Sequence, residues 1–342
     1  MHRPLRLTPD RAALQHNWRW LQQRAGTACG AAIKADGYGI GACETMSALL
    51  EIGCRDFFVS NWAEAEALGA LPDGASLAVL HGVGPDDAEA ALSSTARPVL
   101  NSAQQVERWK AIAPGRPCDV MVDTGMNRLG LRAEETAVLD GLSIDTLHSH
   151  LACADEDHPL SAQQLELFSD LATAIAARRY SLANSAGICL GADYSFDLVR
   201  PGLALYGGIP RAEAQGHIRQ VARVEAVIVQ RRTIPAGESC GYGATFVAEA
   251  DTEAAILNIG YADGYLRGFS ARGSAFAGEF ALPVLGRVSM DLIAIGCDAA
   301  PGLKEGDWVE LDYNLPDAAA QSGLSQYELL TTLGDRFERR WR

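Results

Sequence analysis

Five residues of chemically useful type lie close to the ends of short apolar runs: Lys34, Arg128, His150, Ser185 and Arg200. Lys34 ends the run Ala31-Ala32-Ile33 and is followed by the glycine-rich stretch Ala35-Asp36-Gly37-Tyr38-Gly39-Ile40-Gly41. A lysine at a semi-buried strand end is costly unless it is paired or its pKa falls. Once deprotonated, such an amine can attack an aldehyde and form a Schiff base. The local pattern admits this reading and that of an ordinary loop lysine. A second chemistry is conceivable at His148-Ser149-His150, with Asp155, Glu156, Asp157 and His158 downstream. His-x-His at a strand end is a metal-binding arrangement. In metal-dependent barrel hydrolases, however, it falls on the first strand, and here it comes around the sixth. The acids after Ala154 read more simply as a helix start, so no metal is expected.

The residues named above need a scaffold that presents strand ends on one side. Over residues 1–210 short apolar runs alternate with amphipathic helical stretches. The runs are Ala31–Ile33, Phe57–Val59, Leu77–Leu80, Pro98–Leu100, Val120–Val122, Ile144–Leu147, a weaker one at Ser181-Leu182, and Leu203–Tyr206. Such a succession of about eight βα units closes naturally into a parallel barrel, whose functional residues sit beyond the C-terminal ends of the strands. Thr8-Pro9-Asp10 reads as a helix start, and Leu14, Trp18 and Leu21 then share one helical face. After about Gly216 the pattern changes. Val221–Val229, Glu253–Ile259, Phe280–Leu285, Asp291–Ile295 and Asp307–Leu311 are strand-like, and no good helical stretch precedes Ser325–Phe337. The expected fold is therefore α/β: a (β/α)8 TIM-like barrel over residues 1–215, followed by a mostly β domain over 216–342.

Composition narrows the function classes. The 342 residues carry a net charge of −14, which disfavours nucleic acid and anionic membranes as partners. The 34 glycines show no three-residue repeat, so they mark turns or close backbone approaches. The eight cysteines are scattered without zinc-ligand spacing and fit buried free thiols in a reducing cytosol. No signal peptide and no membrane span are visible, so the expected location is cytoplasmic.

The stretch Ile33–Gly41 resembles the pyridoxal-phosphate lysine signature of bacterial alanine racemases. Further blocks resemble that family in order: Val122-Asp123-Thr124-Gly125-Met126-Asn127-Arg128-Leu129-Gly130, Ser149-His150-Leu151-Ala152 with Ala154-Asp155, Ala183-Asn184-Ser185-Ala186, and Arg200-Pro201-Gly202-Leu203-Ala204-Leu205-Tyr206-Gly207. Gly241-Tyr242-Gly243-Ala244-Thr245-Phe246, Ile259-Gly260-Tyr261-Ala262-Asp263-Gly264, Gly286-Arg287-Val288-Ser289-Met290-Asp291 and Tyr327-Glu328 complete the set. An ordered series across nearly the whole chain is far more specific than any one block.

The resemblance implies a pyridoxal-phosphate enzyme that interconverts L-alanine and D-alanine, supplying or consuming D-alanine for peptidoglycan. Lys34 would carry the cofactor as a Schiff base. Tyr38, Ser185, Tyr327 and the backbone N–H groups around Gly202 and Leu203 would hold its phosphate. Arg200 would face the pyridine nitrogen. A guanidinium cannot accept a proton, so the ring would stay largely neutral, which favours simple reprotonation over transamination. Racemisation needs a base on each face of Cα, and the implied pair is Lys34 and Tyr242. A free tyrosine has a pKa of about 10, so the family hydrogen-bonds it to the histidine matching His150, which in turn contacts Arg200. Tyr242 would act in the other subunit's site, making the protein a head-to-tail homodimer with shared sites. Arg128 and the backbone of Met290 would bind the substrate carboxylate, with Asp291 beside them. Tyr261, Asp155, Arg267 and Arg287 match an access corridor for small zwitterions.

Two positions depart from the family. Met121 stands where many members carry a carbamylated lysine that braces the arginine, so Arg128 must be positioned by something else. Leu292 replaces the usual glutamine after Met-Asp. Rival readings are a racemase of another small amino acid such as serine, and a non-catalytic pyridoxal-phosphate-binding barrel. The latter resembles only the first half and lacks the domain that carries Tyr242.

Overall fold

A computed structural model of the chain describes residues 3–342. It separates into two compact units: Leu14–Arg219, and the residues up to Ala13 together with Gln220–Arg342.

The first unit is a parallel barrel. Seven strands run in sequence order from Ala31–Ala32 through Asp56–Val59, Ser76–Val79, Arg97–Leu100, Cys118–Met121 and Ile144–His148 to Arg179–Ser181. An eighth, Leu198–Val199, pairs in parallel with Ala28–Cys29. It also joins the seventh strand through bonds from Asp197 N–H to the Tyr180 carbonyl and from Arg200 N–H to the Ala183 carbonyl. Phe58, Asp119 and His148 point into the cylinder, where they meet partners on other strands, while the alternate residues Phe57, Val79, Leu100, Val120 and Leu147 are buried on its outer face. Burial on both faces is why these strands read as near-continuous apolar runs. The N-terminal strand ends are tied by charge: Arg97 pairs with Asp119 (2.9 Å) and Asp145 (3.3 Å), and Arg179 with Asp56 (2.8 Å) and Asp145 (3.2 Å). Helices flank the strands at Ala42–Leu50, Trp62–Leu68, Ala103–Ile112 and Leu160–Ala174. Asn61 and Ser102 cap two of them by accepting backbone N–H bonds.

The apolar run Leu203–Tyr206 is a single buried 3-10 turn, and the eighth strand lies at Leu198–Val199. Pro201 and Gly202 break the strand after Arg200, and complete burial makes the turn as apolar as a strand. Thr8 and Pro9 also differ from expectation, since they belong to a strand, Leu5–Pro9. The helix that follows, Arg11–Ala25, is capped by Asp10, whose carboxylate accepts the Ala13 N–H at 2.9 Å. Leu14, Trp18 and Leu21 are buried as the helical spacing requires.

The second unit is an antiparallel barrel built around the 13-residue strand Ala222–Ile234. Its first half pairs with Trp308–Leu311 and its second half with Thr252–Leu257, with an irregularity between Ile228 and Gln230. Ile293–Gly296, Phe280–Leu285 and Ser274–Ala277 complete the ring. Leu5–Pro9 adds to the same sheet, antiparallel to Ala222–Ala226 and parallel to Glu338–Arg339. The expected division at 215/216 thus puts the first strand on the wrong side, because its hydrogen-bond partners lie in the later sequence. Two further elements differ from expectation. Ser274–Ala277 is a strand, and Leu315–Ser322 is a helix with Pro316 in its first turn.

Candidate active site

The C-terminal ends of the barrel strands carry Lys34, Arg128, His150, Ser185 and Arg200. Lys34 follows Ile33, whose N–H donates to the Phe58 carbonyl at 2.9 Å. Beyond it the backbone enters a left-handed turn, with φ of 52°, 51°, 61° and 54° at Ala35, Asp36, Gly37 and Tyr38. Such residues cost about 1–2 kcal/mol each outside glycine, so the turn is held from outside. The Glu64 carboxylate accepts the Ala35 N–H at 2.9 Å and the Ser60 N–H at 2.7 Å, and Asp36 accepts the Ala42 N–H at 2.9 Å. The Tyr38 ring stacks on Tyr206 with centroids 4.5 Å apart. Burial lowers the Lys34 pKa, and the positive charge of Arg128 lowers it further, against the opposing pull of Glu64.

Arg200 is buried. Its guanidinium donates to the Ser149 carbonyl at 2.6 Å and to the Ser181 hydroxyl. Burial brings its pKa down to about 10. Among the described residues no carboxylate lies within ion-pairing distance of it. His150 is only partly exposed. Burial, followed by the charges of Arg200, Arg128 and Lys34, pushes its pKa down to about 3. These four groups therefore share one positively charged pocket, with His150 neutral. Arg200 reaches His150 through its field, and its hydrogen bonds go to Ser149 and Ser181.

An anion cradle lies beside them. The Ser185 hydroxyl accepts the N–H groups of Gly202 (3.0 Å) and Ala204 (3.2 Å), which gathers the turn around Gly202 and Leu203 beside it. A Cβ at position 202 would collide with the Tyr38 hydroxyl, which therefore closes on the same spot. Donor-only backbone groups, hydroxyls and nearby unpaired cations suit a phosphate ester. A depressed lysine at the same mouth suits an aldehyde. The residues present thus fit pyridoxal phosphate.

Arg128 is exposed on the loop Asp123–Gly130. The loop is fixed by its own backbone: the Asp123 carboxylate accepts the N–H groups of Gly125 (2.9 Å) and Asn127 (3.1 Å), and Leu131 bonds back to Met121. Met121 is buried and offers the guanidinium no polar brace. Behind the loop stands Gln164, fully buried and hydrogen-bonded to Thr124, His150 and Ala152. Sequence reasoning passed over Gln164 and Glu64. Glu64 is signalled by Asn61-x-x-Glu64, a capping pattern. Gln164 leaves only the weaker signal of a polar residue on the buried stripe of an amphipathic helix.

The second unit carries Tyr242, Met290, Asp291 and Tyr327. Tyr242 is 71% exposed and Met290 53%. Tyr242 sits in a turn whose Gly241, Gly243 and Ala244 have φ of 78°, 74° and 47°. The Arg287 side chain packs against Gly243. Met290 and Asp291 form the tip of a tight turn closed by Ser289, whose N–H and hydroxyl both donate to the Leu292 carbonyl. Arg336 holds the Asp291 carboxylate at 2.7 Å and buried Asp263 at 2.6 Å. Arg267 lies over the Tyr261 ring at 5.3 Å. Tyr327 is half-exposed, on the short helix Gln326–Thr331. Among the described residues no cluster of His, Cys, Asp or Glu could hold a metal ion.

Comparison with known proteins agrees with this arrangement. Residues 10–210 match the family model described as alanine racemase, N-terminal domain, and residues 221–341 the corresponding C-terminal domain. A catabolic alanine racemase of Agrobacterium fabrum is 41% identical, over 97% of this chain and 91% of its own. The Bartonella henselae alanine racemase, solved with covalently bound pyridoxal phosphate, superposes with a TM-score of 0.92 at 35% identity, covering 99% of each chain. The biosynthetic alanine racemase of Pseudomonas aeruginosa gives 0.88 at 33% identity over the full length of both. With both domain models matched in order, and a lysine, an arginine and a phosphate cradle at the barrel mouth, the chain belongs to the alanine racemase family.

Proposed function

We propose that this protein interconverts L-alanine and D-alanine with pyridoxal phosphate held at Lys34. The observation that carries this reading is the pocket in which a pKa-lowered lysine and a buried arginine, without a carboxylate partner among the described residues, both act on His150, beside the Ser185–Gly202 turn. Bound there, the cofactor supplies an electron-withdrawing ring that weakens the Cα–H bond of the amino acid joined to it.

The chain's own residues do the rest. Ser185 and the backbone N–H groups around Gly202 and Leu203 hold the phosphate, with Tyr38 and Tyr327 completing the set. Arg200 donates towards the ring nitrogen and cannot take a proton from it, which limits charge delocalisation and keeps the chemistry to proton exchange. Arg128 and the Met290 backbone bind the carboxylate, and Asp291 is held near them by Arg336. Lys34 Nζ takes or delivers the proton on one face of Cα, and the Tyr242 hydroxyl on the other. His150, neutral because of its buried cationic surroundings, can accept a hydrogen bond from that hydroxyl and keep it oriented. The exposure of Tyr242 and Met290 supports a head-to-tail homodimer in which they complete the site of the partner subunit. Eight free cysteines, five of them buried, accord with a reducing cytoplasm. Serine differs by one hydroxyl and is the nearest competing substrate.

The test is to follow deuterium entry at Cα from each enantiomer of alanine, with the bound chromophore recorded in parallel. Lys34→Ala should lose both chromophore and turnover. Tyr242→Phe should keep the chromophore and lose about 10²–10⁴-fold in turnover. Normal racemisation by Tyr242→Phe would refute the two-base assignment. A coloured wild type that exchanges nothing would make the protein a binding module.

A further inference from the structure

Gln164 lies on the helix Leu160–Ala174 with no solvent exposure, and all its bonds run to the site. Its Oε1 accepts the Ala152 N–H at 2.9 Å, and its Nε2 donates to the His150 carbonyl at 2.9 Å and to Thr124 Oγ1 at 3.1 Å. The amide orientation is unambiguous, because a backbone N–H can only donate and a carbonyl can only accept. That fixes the direction of every later bond. Thr124 Oγ1 accepts from Gln164, so its proton is free to go to Ser149 Oγ, 2.8 Å away. Ser149 Oγ then gives its own proton to the Val122 carbonyl at 2.8 Å. The Ser149 carbonyl in turn takes the Arg200 guanidinium. One buried amide is thus bonded to the strand end that carries His150, to the first turn of the loop that carries Arg128, and, through two hydroxyls, to the residue that anchors Arg200. Gly125 packs between, where a Cβ would rest 3.8 Å from Gln164 Cγ. The thioether side chain of Met121 contributes no polar contact to this loop from the strand side.

We propose that Gln164 is the positioning residue that fixes Arg128, His150 and Arg200 relative to one another, a role that rests on the racemase reading of the same pocket. A residue that sets the carboxylate-binding arm acts mainly on substrate capture. Gln164→Met keeps the side-chain length and removes the three bonds, leaving the Ala152 N–H and the His150 carbonyl without partners. Two readouts are made on the holoenzyme: steady-state racemisation of alanine, and amide hydrogen exchange followed by peptide.

The expected result is retained chromophore, a KM for alanine raised roughly tenfold with kcat changed much less, and faster exchange confined to residues 124–130 and 149–152. Thr124→Val, which removes the two bonds of Thr124 Oγ1 and keeps those of Gln164 to Ala152 and His150, should speed exchange more at 124–130 than at 149–152 and raise KM less. It also stands in for Gln164→Met should that variant fail to fold. The double variant should be no worse than Gln164→Met, since both act along one chain of bonds. Unchanged exchange at 124–130 in these variants overturns the proposal, as does loss of the chromophore or an effect on kcat alone. If wild type fails to racemise alanine, the functional reading falls, and the exchange pattern still decides the coupling.

Discussion

Lys34 is surrounded by opposing influences that can be tested one residue at a time. Burial and the Arg128 guanidinium favour its neutral amine, and the Glu64 carboxylate opposes them. The neutral amine attacks an aldehyde, so apoprotein should capture pyridoxal phosphate with a pH midpoint below the usual lysine pKa of about 10.4. Arg128→Gln removes one of the charges that lower the pKa. The pH midpoint of capture, followed by absorbance, should therefore move upward in that variant, and a downward shift would contradict this electrostatic account. At this scale the sequence discloses groups that announce themselves by local pattern: Lys34 in its glycine-rich stretch, Arg200 before Pro-Gly, and the Ser185 block. Glu64, Ser181 and Gln164 do their work through partners up to forty residues away, such as Gln164 with Thr124. No local spacing encodes a pairing of that kind.

Elements hold these residues through backbone conformations that few side chains accept. Gly130 closes the Arg128 loop with φ of 117°, and a Cβ there would lie 2.6 Å from the Asp123 nitrogen, a backbone atom that cannot move aside. Gly130→Ala should cost about 1–3 kcal/mol and raise the KM for alanine, measured by thermal melting and kinetics. Gly115→Ala offers the contrast: φ is 76° but nothing lies within 4 Å, so only the backbone preference is disturbed, and the KM should not change. Elements with a clear period were legible, including the barrel strands up to Ile144–His148 and the Leu14–Trp18–Leu21 helix face. The short ones were not. Leu203–Tyr206 is apolar because it is buried on every side, which mimics a strand. Leu198–Val199 is two residues long and carries no period at all. Ser274–Ala277 was hidden because three of its four residues are small.

The proposed sharing of sites between subunits predicts behaviour on mixing. In the proposed dimer each site takes Lys34 from one chain and Tyr242 from the other. Lys34→Ala and Tyr242→Phe chains are each inactive alone. A mixed dimer then has one site with both changes and one with neither, so random reassortment should restore about a quarter of the native sites. Activity that stays at the sum of the parents after subunit exchange, confirmed by mass, would argue against shared sites. The order of the sheet around Leu5–Pro9 carries another consequence. That strand leaves the ribosome before both of its neighbours, Ala222–Ala226 and Glu338–Arg339. At about 5–20 residues per second the last of them follows on the order of tens of seconds later. The barrel at Leu14–Arg219 can close in that interval while the leading strand waits with both edges bare. Arg6 within it, Pro9 at its end and Pro4 just before it are the kinds of residue that keep a waiting edge from joining another nascent chain.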